Sequence, residues 1–180
     1  MKKEVYISVD IEADGPIPGE YSMSSFGAVV VDRPNQNFYR ELKPISERWD
    51  PQAAVVSGLN RETLKKEGLH PADAMRQFAD WVNSVVGSDS RPVFVSFNAT
   101  FDWMFSHWYF MKYLGTDPFG ISGLEMKSYY AGLMGVEWGE TTKRYVAKNF
   151  PSKQAHTHNA LDDAKEQAEM FAGMLKLARE

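Results

Sequence analysis

Two acidic sites along the chain would be costly to keep ionised without a cation, and a third acid stands beside a histidine. The first lies in residues 4–16, EVYISVDIEADGP. With a strand's period of two, Val5, Ile7, Val9 and Ile11 share one face and Tyr6, Ser8, Asp10 and Glu12 the other. Asp10 and Glu12 then project side by side from backbone positions about 6.5–7 Å apart, within reach of one cation or of two bridged ones. Like charges on a partly buried face repel and lose hydration, so the pair calls for positive charge between them. Asp14-Gly15-Pro16 is a turn signal, and crevices beyond the carboxyl ends of central strands are where α/β sheets bind ligands. Taken alone, Asp-x-Glu equally describes a solvated strand edge or a salt-bridge partner.

The second acid, Asp102, is the only one in residues 98–113 (NATFDWMFSHWYFMKY). An ionised carboxylate among Phe101, Trp103 and Phe105 is costly to desolvate unless a cation meets it. The alternative is an acid in the first helical turn, facing solvent and favoured by the helix dipole. The third group is His158 with Asp163, in HNALDDA. Asn159 suits the N-cap of the last helix, with Asp162 as the returning acid of a capping-box-like pair. The apolar stripe of that helix is Leu161, Ala164, Ala168, Phe171 and Leu175. At about 100° per residue, Asp163 lies roughly 120° from the stripe's centre and Asp162 roughly 140°, so Asp163 is the nearer to the protein body. His158 can lean across the start of the same helix, or bond backbone as an ordinary loop histidine. His70, His107 and His156 occupy no comparable position and read as structural or exposed.

These groups need a scaffold, and the chain is long enough to build one. At 180 residues, with 43% hydrophobic and 13% aromatic side chains, it reads as one globular domain over 1–180 with a sizeable core. Cysteine is absent, which excludes disulfides and thiolate metal sites. No signal peptide or membrane span is legible at the N-terminus, so a cytoplasmic protein is expected. A net charge of −4 argues against a general duplex binder, though bound metals locally reverse the sign of a cleft.

In order, residues 22–32 read as a second strand, 33–35 as its closing turn and 37–44 as a half-exposed third strand, giving an antiparallel meander. Residues 51–58 and 61–68 read as helices, the second capped by Asn60. Residues 70–87 form a better helix, with Pro71 in its first turn and Ala74, Phe78, Trp81, Val82 and Val85 on one face. Residues 92–97 (PVFVSF) read as a strand covered on both sides, leading into the aromatic helix at 98–113. A loop over 114–123 precedes a helix at 124–135. Lys143, Arg144, Lys148 and Lys153 make 140–153 the densest basic stretch, either a solvated face or a set of phosphate contacts.

In this order the motifs resemble those of the DEDDh 3′–5′ exonucleases, the DnaQ-like group of the ribonuclease-H-like fold. Asp10 and Glu12 in VDIEADG resemble the first motif, Asp102 in FNATFDWMF the second, and His158 with Asp163 in HNALDDA the third. VSGLNRETL at 56–64 looks like the family's intervening Ser/Thr-Gly segment, so the resemblance spans nearly the whole chain. The family's tyrosine-bearing branch would place tyrosine where this chain has Asn159, which favours the histidine branch.

The resemblance implies a mixed five-stranded α/β sheet, three antiparallel strands then two parallel, flanked by helices. It implies that Asp10, Glu12, Asp102 and Asp163 hold two Mg²⁺ or Mn²⁺ ions, a choice suited to hard oxygen ligands, about 4 Å apart. His158 is the implied general base, imidazole having an ordinary pKa of about 6.5. Ala13, Met23 and Phe26 are the candidates to line the terminal nucleotide, Met23 and Phe26 by packing on a base, with a core position the alternative for Phe26. Asn98 is the candidate to support the site. The expected activity is release of nucleoside 5′-monophosphates from 3′ ends of single-stranded or short RNA or DNA. A proofreading or non-catalytic module docked on a polymerase is the alternative. Glu125, where relatives often carry aspartate, and the unfamiliar segment 135–153 leave substrate choice open. The aromatic helix could also supply a homodimer interface, although burial in the core is the simpler account.

Overall fold

A computed structural model describes residues 2–154 and 157–180. The elements are β1 (Lys3–Ala13), β2 (Met23–Val30), β3 (Arg33–Glu41), α1 (Pro51–Ser57), α2 (Arg61–Glu67), α3 (Pro71–Val86), β4 (Ser90–Ser96), α4 (Ala99–Leu114), β5 (Gly123–Glu125), α5 (Met126–Met134), a 3₁₀ turn (Trp138–Glu140), α6 (Lys143–Asn149) and α7 (Ala160–Leu177). One sheet forms in the order β3-β2-β1-β4-β5. The first three strands are antiparallel, and β4 and β5 run parallel to β1, as expected of a ribonuclease-H-like sheet.

The alternation in β1 decides its place. Val5, Ile7, Val9 and Ile11 are buried against a layer that includes Phe78 of α3 and Phe105, Tyr109 and Phe110 of α4. The opposite layer gathers Val29, Val95, Met126, Val146, Phe171 and Met174, drawn from the sheet and from α5, α6 and α7. With helices on both faces, β1 is covered twice, and its polar face looks into packed protein rather than water. The aromatic residues of α4 go mostly inward, with Phe105, Tyr109 and Phe110 fully buried. No helix among the described residues is long and apolar enough to cross a membrane.

Two boundaries differ from the sequence reading. The chain reverses at Val31 and Asp32, and β3 begins at Arg33 instead of after a turn at 33–35. Pro34 lacks an N–H, yet β3 is an outer strand, and pairing jumps from Val30↔Arg33 to Val29↔Asn37, leaving Pro34 in a bulge. Leu124 and Glu125, read as helical, instead pair with β4 at Val95 and Ser96. A three-residue strand carries too few positions for periodicity to reveal it. His70 N-caps α3, its Nδ1 accepting from Ala72 N–H at 3.3 Å. His107 Nδ1 lies 2.7 Å from Asp117 Oδ2. His156 lies outside the described residues.

One glycine sets how closely α7 approaches the sheet. Gly27 pairs with Asp10 across β1 and β2, and a Cβ on it would lie 2.4 Å from the Leu161 backbone. The first turn of α7, which carries Asp163, therefore rests directly on β2 beside Asp10. Substituting Gly27→Ala forces that turn off the sheet. We expect a stability loss of about 1–3 kcal/mol, the usual range for overpacking, read as a lower urea midpoint; an unchanged midpoint would show that the close approach is not limiting.

Candidate active site

The acids come together where β1 ends. Asp10 and Glu12 lie on its polar face, as the period of two requires. Asp102 stands in the first turn of α4 and is 5% exposed, which settles the alternative of a solvent-facing acid. Its Oδ1 accepts the Ile11 N–H at 3.0 Å and its Oδ2 accepts Ser96 Oγ–H at 2.7 Å. The helix around it thus binds back to β1 between the two residues of the first motif.

Asp163 is 2% exposed at the start of α7, whereas the Asp162 side chain is 45% exposed, the difference expected from their angles to the apolar stripe. Asp163 Oδ1 accepts the Thr157 N–H at 3.1 Å. Asn159 caps α7 as expected, accepting from Leu161 and Asp162 N–H. The return bond differs from the capping box: Asn159 N–H donates to Thr157 Oγ1, and Asp162 meets Thr157 Oγ1 and Lys165 Nζ. Thr157 takes the place expected of Asp162 because its hydroxyl reaches the cap within the same loop. His158 follows with a left-handed φ of 56° and is exposed. One ligand atom each from Glu12, His158 and Asp163 lie within 4.8 Å of one another.

Sequence reasoning missed Gln167, which is 2% exposed one turn beyond Asp163. Its Nε2 donates to Asp10 Oδ1 at 2.6 Å, while its Oε1 accepts the Phe97 N–H at 2.9 Å. The spacing of four from Asp163 put it on the same helix face, and that was the available signal. Ser96, the last residue of β4, was missed as well.

Among the expected substrate contacts, Ala13 is half-buried at the end of β1 and Asn98 is exposed. Asn98 adopts a left-handed φ of 69°, makes no side-chain cap, and donates its N–H to Glu125 Oε1 at 3.1 Å. Met23 and Phe26 are each 1% exposed and are corrected here to core residues. Phe26 packs on Phe38 and Phe78 at ring separations of 5.7 and 4.9 Å, so neither side chain offers a face to a base. The reason is that β2 lies between two strands with helices on both sides. Beyond Glu12, a buried ion pair between Asp14 and Arg61 fastens the following segment, with Arg61 also donating to the Ser46 carbonyl.

The electrostatics reflect the convergence. Burial, then the charges of Asp102, Glu12 and Asp163, hold the Asp10 carboxyl well above the usual carboxylate range. Burial, then Asp163 and Asp102, push Glu12 up to about 7. Burial pushes Asp102 up to about 7 against the opposing hydrogen bonds from Ser96 and Ile11, with Glu125 adding to the rise. Several carboxylates converging in a buried place, beside one imidazole, fit a hard divalent cation. Without a metal, the folded state binds more protons than the unfolded one between about pH 4 and 7, so stability falls as pH rises through that window. In chelator, the thermal midpoint should drop from about pH 5 to about pH 8. Glu12→Gln and Asp102→Asn should flatten the slope; a midpoint that rises with pH in the parent protein would contradict the geometry.

Comparison with known proteins agrees with this arrangement. The RNase_T family model, described as Exonuclease, matches residues 7–171. A 3′-5′ DNA exonuclease from Escherichia coli, Cap18, is 49% identical over 176 residues, covering 98% of this chain and 94% of the relative. Among solved structures, cell-death related nuclease 4 (CRN-4) superposes with a TM-score of 0.77 at 13% identity, covering 98% of this chain and 65% of that one. The nuclease domain of 3′hExo, a DEDDh family member solved bound to rAMP, gives 0.75 at 14% identity, covering 95% and 91%. The chain belongs to the RNase_T exonuclease family, as the DEDDh-like order of its motifs implied.

Proposed function

We propose that this nuclease is a divalent-metal-dependent 3′–5′ exonuclease that removes nucleoside 5′-monophosphates from single-stranded DNA ends. The observation carrying the proposal is the convergence of four acids at the end of β1. Glu12, Asp163 and His158 offer ligand atoms within 4.8 Å of one another, and the charges of Asp102, Glu12 and Asp163 all act on Asp10, those of Asp163 and Asp102 on Glu12. The polarity and the choice of DNA are supported by the activity named for the 49% identical relative.

Asp10, Glu12, Asp102 and Asp163 would hold Mg²⁺ or Mn²⁺, two ions to a site, which when bound supplies the positive charge that polarises the phosphate, eases deprotonation of water and offsets the leaving oxygen. The chain's own residues do the rest. Gln167 holds Asp10, and Ser96 with the Ile11 N–H holds Asp102, so these carboxylates are oriented before substrate arrives. An imidazole nitrogen of His158 takes a proton from water as the water oxygen attacks phosphorus. The P–O3′ bond breaks, the departing 3′-oxygen takes a proton from solvent water, the released nucleotide keeps a 5′-phosphate, and the shortened strand ends in a 3′-hydroxyl.

Oligonucleotides labelled at either end test this with Mn²⁺ present. A 5′ label should yield a descending ladder and a 3′ label an immediate mononucleotide; intact product, or shortening from the 5′ end, would refute the assignment. Asp10→Asn and Asp163→Asn should each lower turnover by about a thousandfold or more while the protein stays folded. His158→Ala should lower it by about a hundredfold to ten-thousandfold, the range for loss of a general base.

A further inference from the structure

The stretch from 138 to 148 carries no part of the acid pocket, yet its side chains are arranged as a surface for a flexible anion with aromatic bases. Trp138 is 57% exposed, and the 3₁₀ turn holding it contains no buried residue. The indole is therefore not a core anchor. Lys127 Nζ sits 4.2 Å from its ring centroid, a cation–π contact in which the ammonium covers one ring face. Tyr145, 41% exposed, has Lys148 Nζ 4.8 Å from its centroid. The packing of α6 explains why these residues face outward: Val146 and Phe150 are buried in the layer shared with α5 and α7, which turns Arg144, Tyr145 and Lys148 to solvent. The acid on this stretch is Glu140, with Glu137 just before it, both exposed.

This surface adjoins the acid pocket on two sides. The Lys127 N–H donates to Glu125 Oε1 at 2.8 Å, and the same oxygen accepts the N–H of Asn98, the residue that leads into the helix of Asp102. Lys143, the first residue of α6, pairs with Glu166 at 2.8 Å, three residues beyond Asp163 on α7. Its Nζ is 5.8 Å from the Phe97 ring, and the Phe97 N–H bonds the Gln167 that holds Asp10. Lys127 and Lys143, on either side of this surface, are thus in contact with residues that lead to Asp102 and Asp10.

We propose that Trp138, Tyr145, Lys127, Arg144 and Lys148 form a track for the single strand upstream of the scissile phosphate, with unpaired bases stacking on the rings and phosphates meeting the cations. The proposal rests on the exonuclease reading and deepens it. Rings interleaved with cations suit a strand whose bases are unpaired, because stacking tolerates any base while the charges follow the backbone. A duplex end cannot use the rings without fraying, so the track selects single strands, and strands long enough to reach it.

The test compares the parent protein with Trp138→Ala, Trp138→Phe and the triple change Lys127→Gln, Arg144→Gln, Lys148→Gln. Substrates are oligothymidylates from the dinucleotide to a dodecamer, and the p-nitrophenyl ester of thymidine 5′-monophosphate, which is too short to reach the track. In the parent, kcat/KM should rise with length. Trp138→Ala should lower the ratio of dodecamer to ester activity about tenfold through KM, within the range for losing one base stack, and Trp138→Phe should restore most of it. The triple change should reduce the salt dependence of KM by roughly 0.7 in log–log slope for each phosphate that is no longer neutralised. Parent activity independent of length, or a Trp138→Ala loss equal on ester and dodecamer, would overturn the track while leaving the exonuclease reading intact. Failure of the parent to degrade any of these substrates would instead remove the reading beneath it.

Discussion

Four carboxylates forced into one pocket repel each other, and much of the surrounding structure serves to hold them there. The charges come from a central strand and from the first turns of two helices, α4 and α7. Both helices present their N-terminal ends to the pocket, where the partial positive charge of the helix dipole offsets acid. Neutral donors among the described residues also hold the acids: Ser96 and the Ile11 N–H for Asp102, Gln167 for Asp10, the Thr157 N–H for Asp163. A lysine or arginine in their place would neutralise the pocket and compete with any metal. Amide and hydroxyl donors fix the oxygens without adding a competing positive charge, which suits the ligand role proposed for them.

The sheet order makes this gathering possible. Because β1 lies between an antiparallel and a parallel neighbour, its carboxyl end is reached both by the helix that follows β4 and by the last helix of the chain. Gly27 lets α7 touch β2, and Ser96 at the end of β4 meets Asp102 six residues later. The buried Asp14–Arg61 pair does the corresponding work on the segment after Glu12. Breaking one partner of such a pair leaves a desolvated charge, commonly worth about 3–5 kcal/mol, so this segment is tied to α2 as firmly as the pocket is tied to the sheet.

How much of this the sequence disclosed depended on whether a local rule governed each residue. The period of two placed Asp10 with Glu12, and the helical angle separated Asp163 from Asp162. Asp102 was ambiguous because first-turn position is a local property, whereas its hydrogen bond to Ile11 spans ninety-one residues and leaves no trace in either segment. Phe26, open between a base contact and the core, and Met23, read as a base contact, both prove to be core for a related reason: they follow the first motif in the chain, but the helices covering β2 come from far along it. Gln167 stood at a legible spacing from Asp163, yet a glutamine among helix residues has no distinctive chemistry until its partner is seen. Pro34 suggested a turn where an outer strand with a bulge tolerated it.

In the proposed reaction, His158 meets a different requirement from that of the acids. Carboxylates that hold ions gain from burial, since the low dielectric strengthens their attraction for the cation and rigid hydrogen bonds keep the ligand geometry. A group that accepts a proton in every turnover must return it to bulk water before the next, and burial would slow that return. His158 is exposed, on a left-handed residue just ahead of the cap of α7, yet near enough to Glu12 and Asp163 for its ring to serve the same pocket. The backbone conformation is uncommon for a residue with a side chain; here it lets the chain turn sharply into the helix while the imidazole stays at the pocket's edge. In the proposed reaction, ions are held by strand and helix, and the proton leaves by way of the loop.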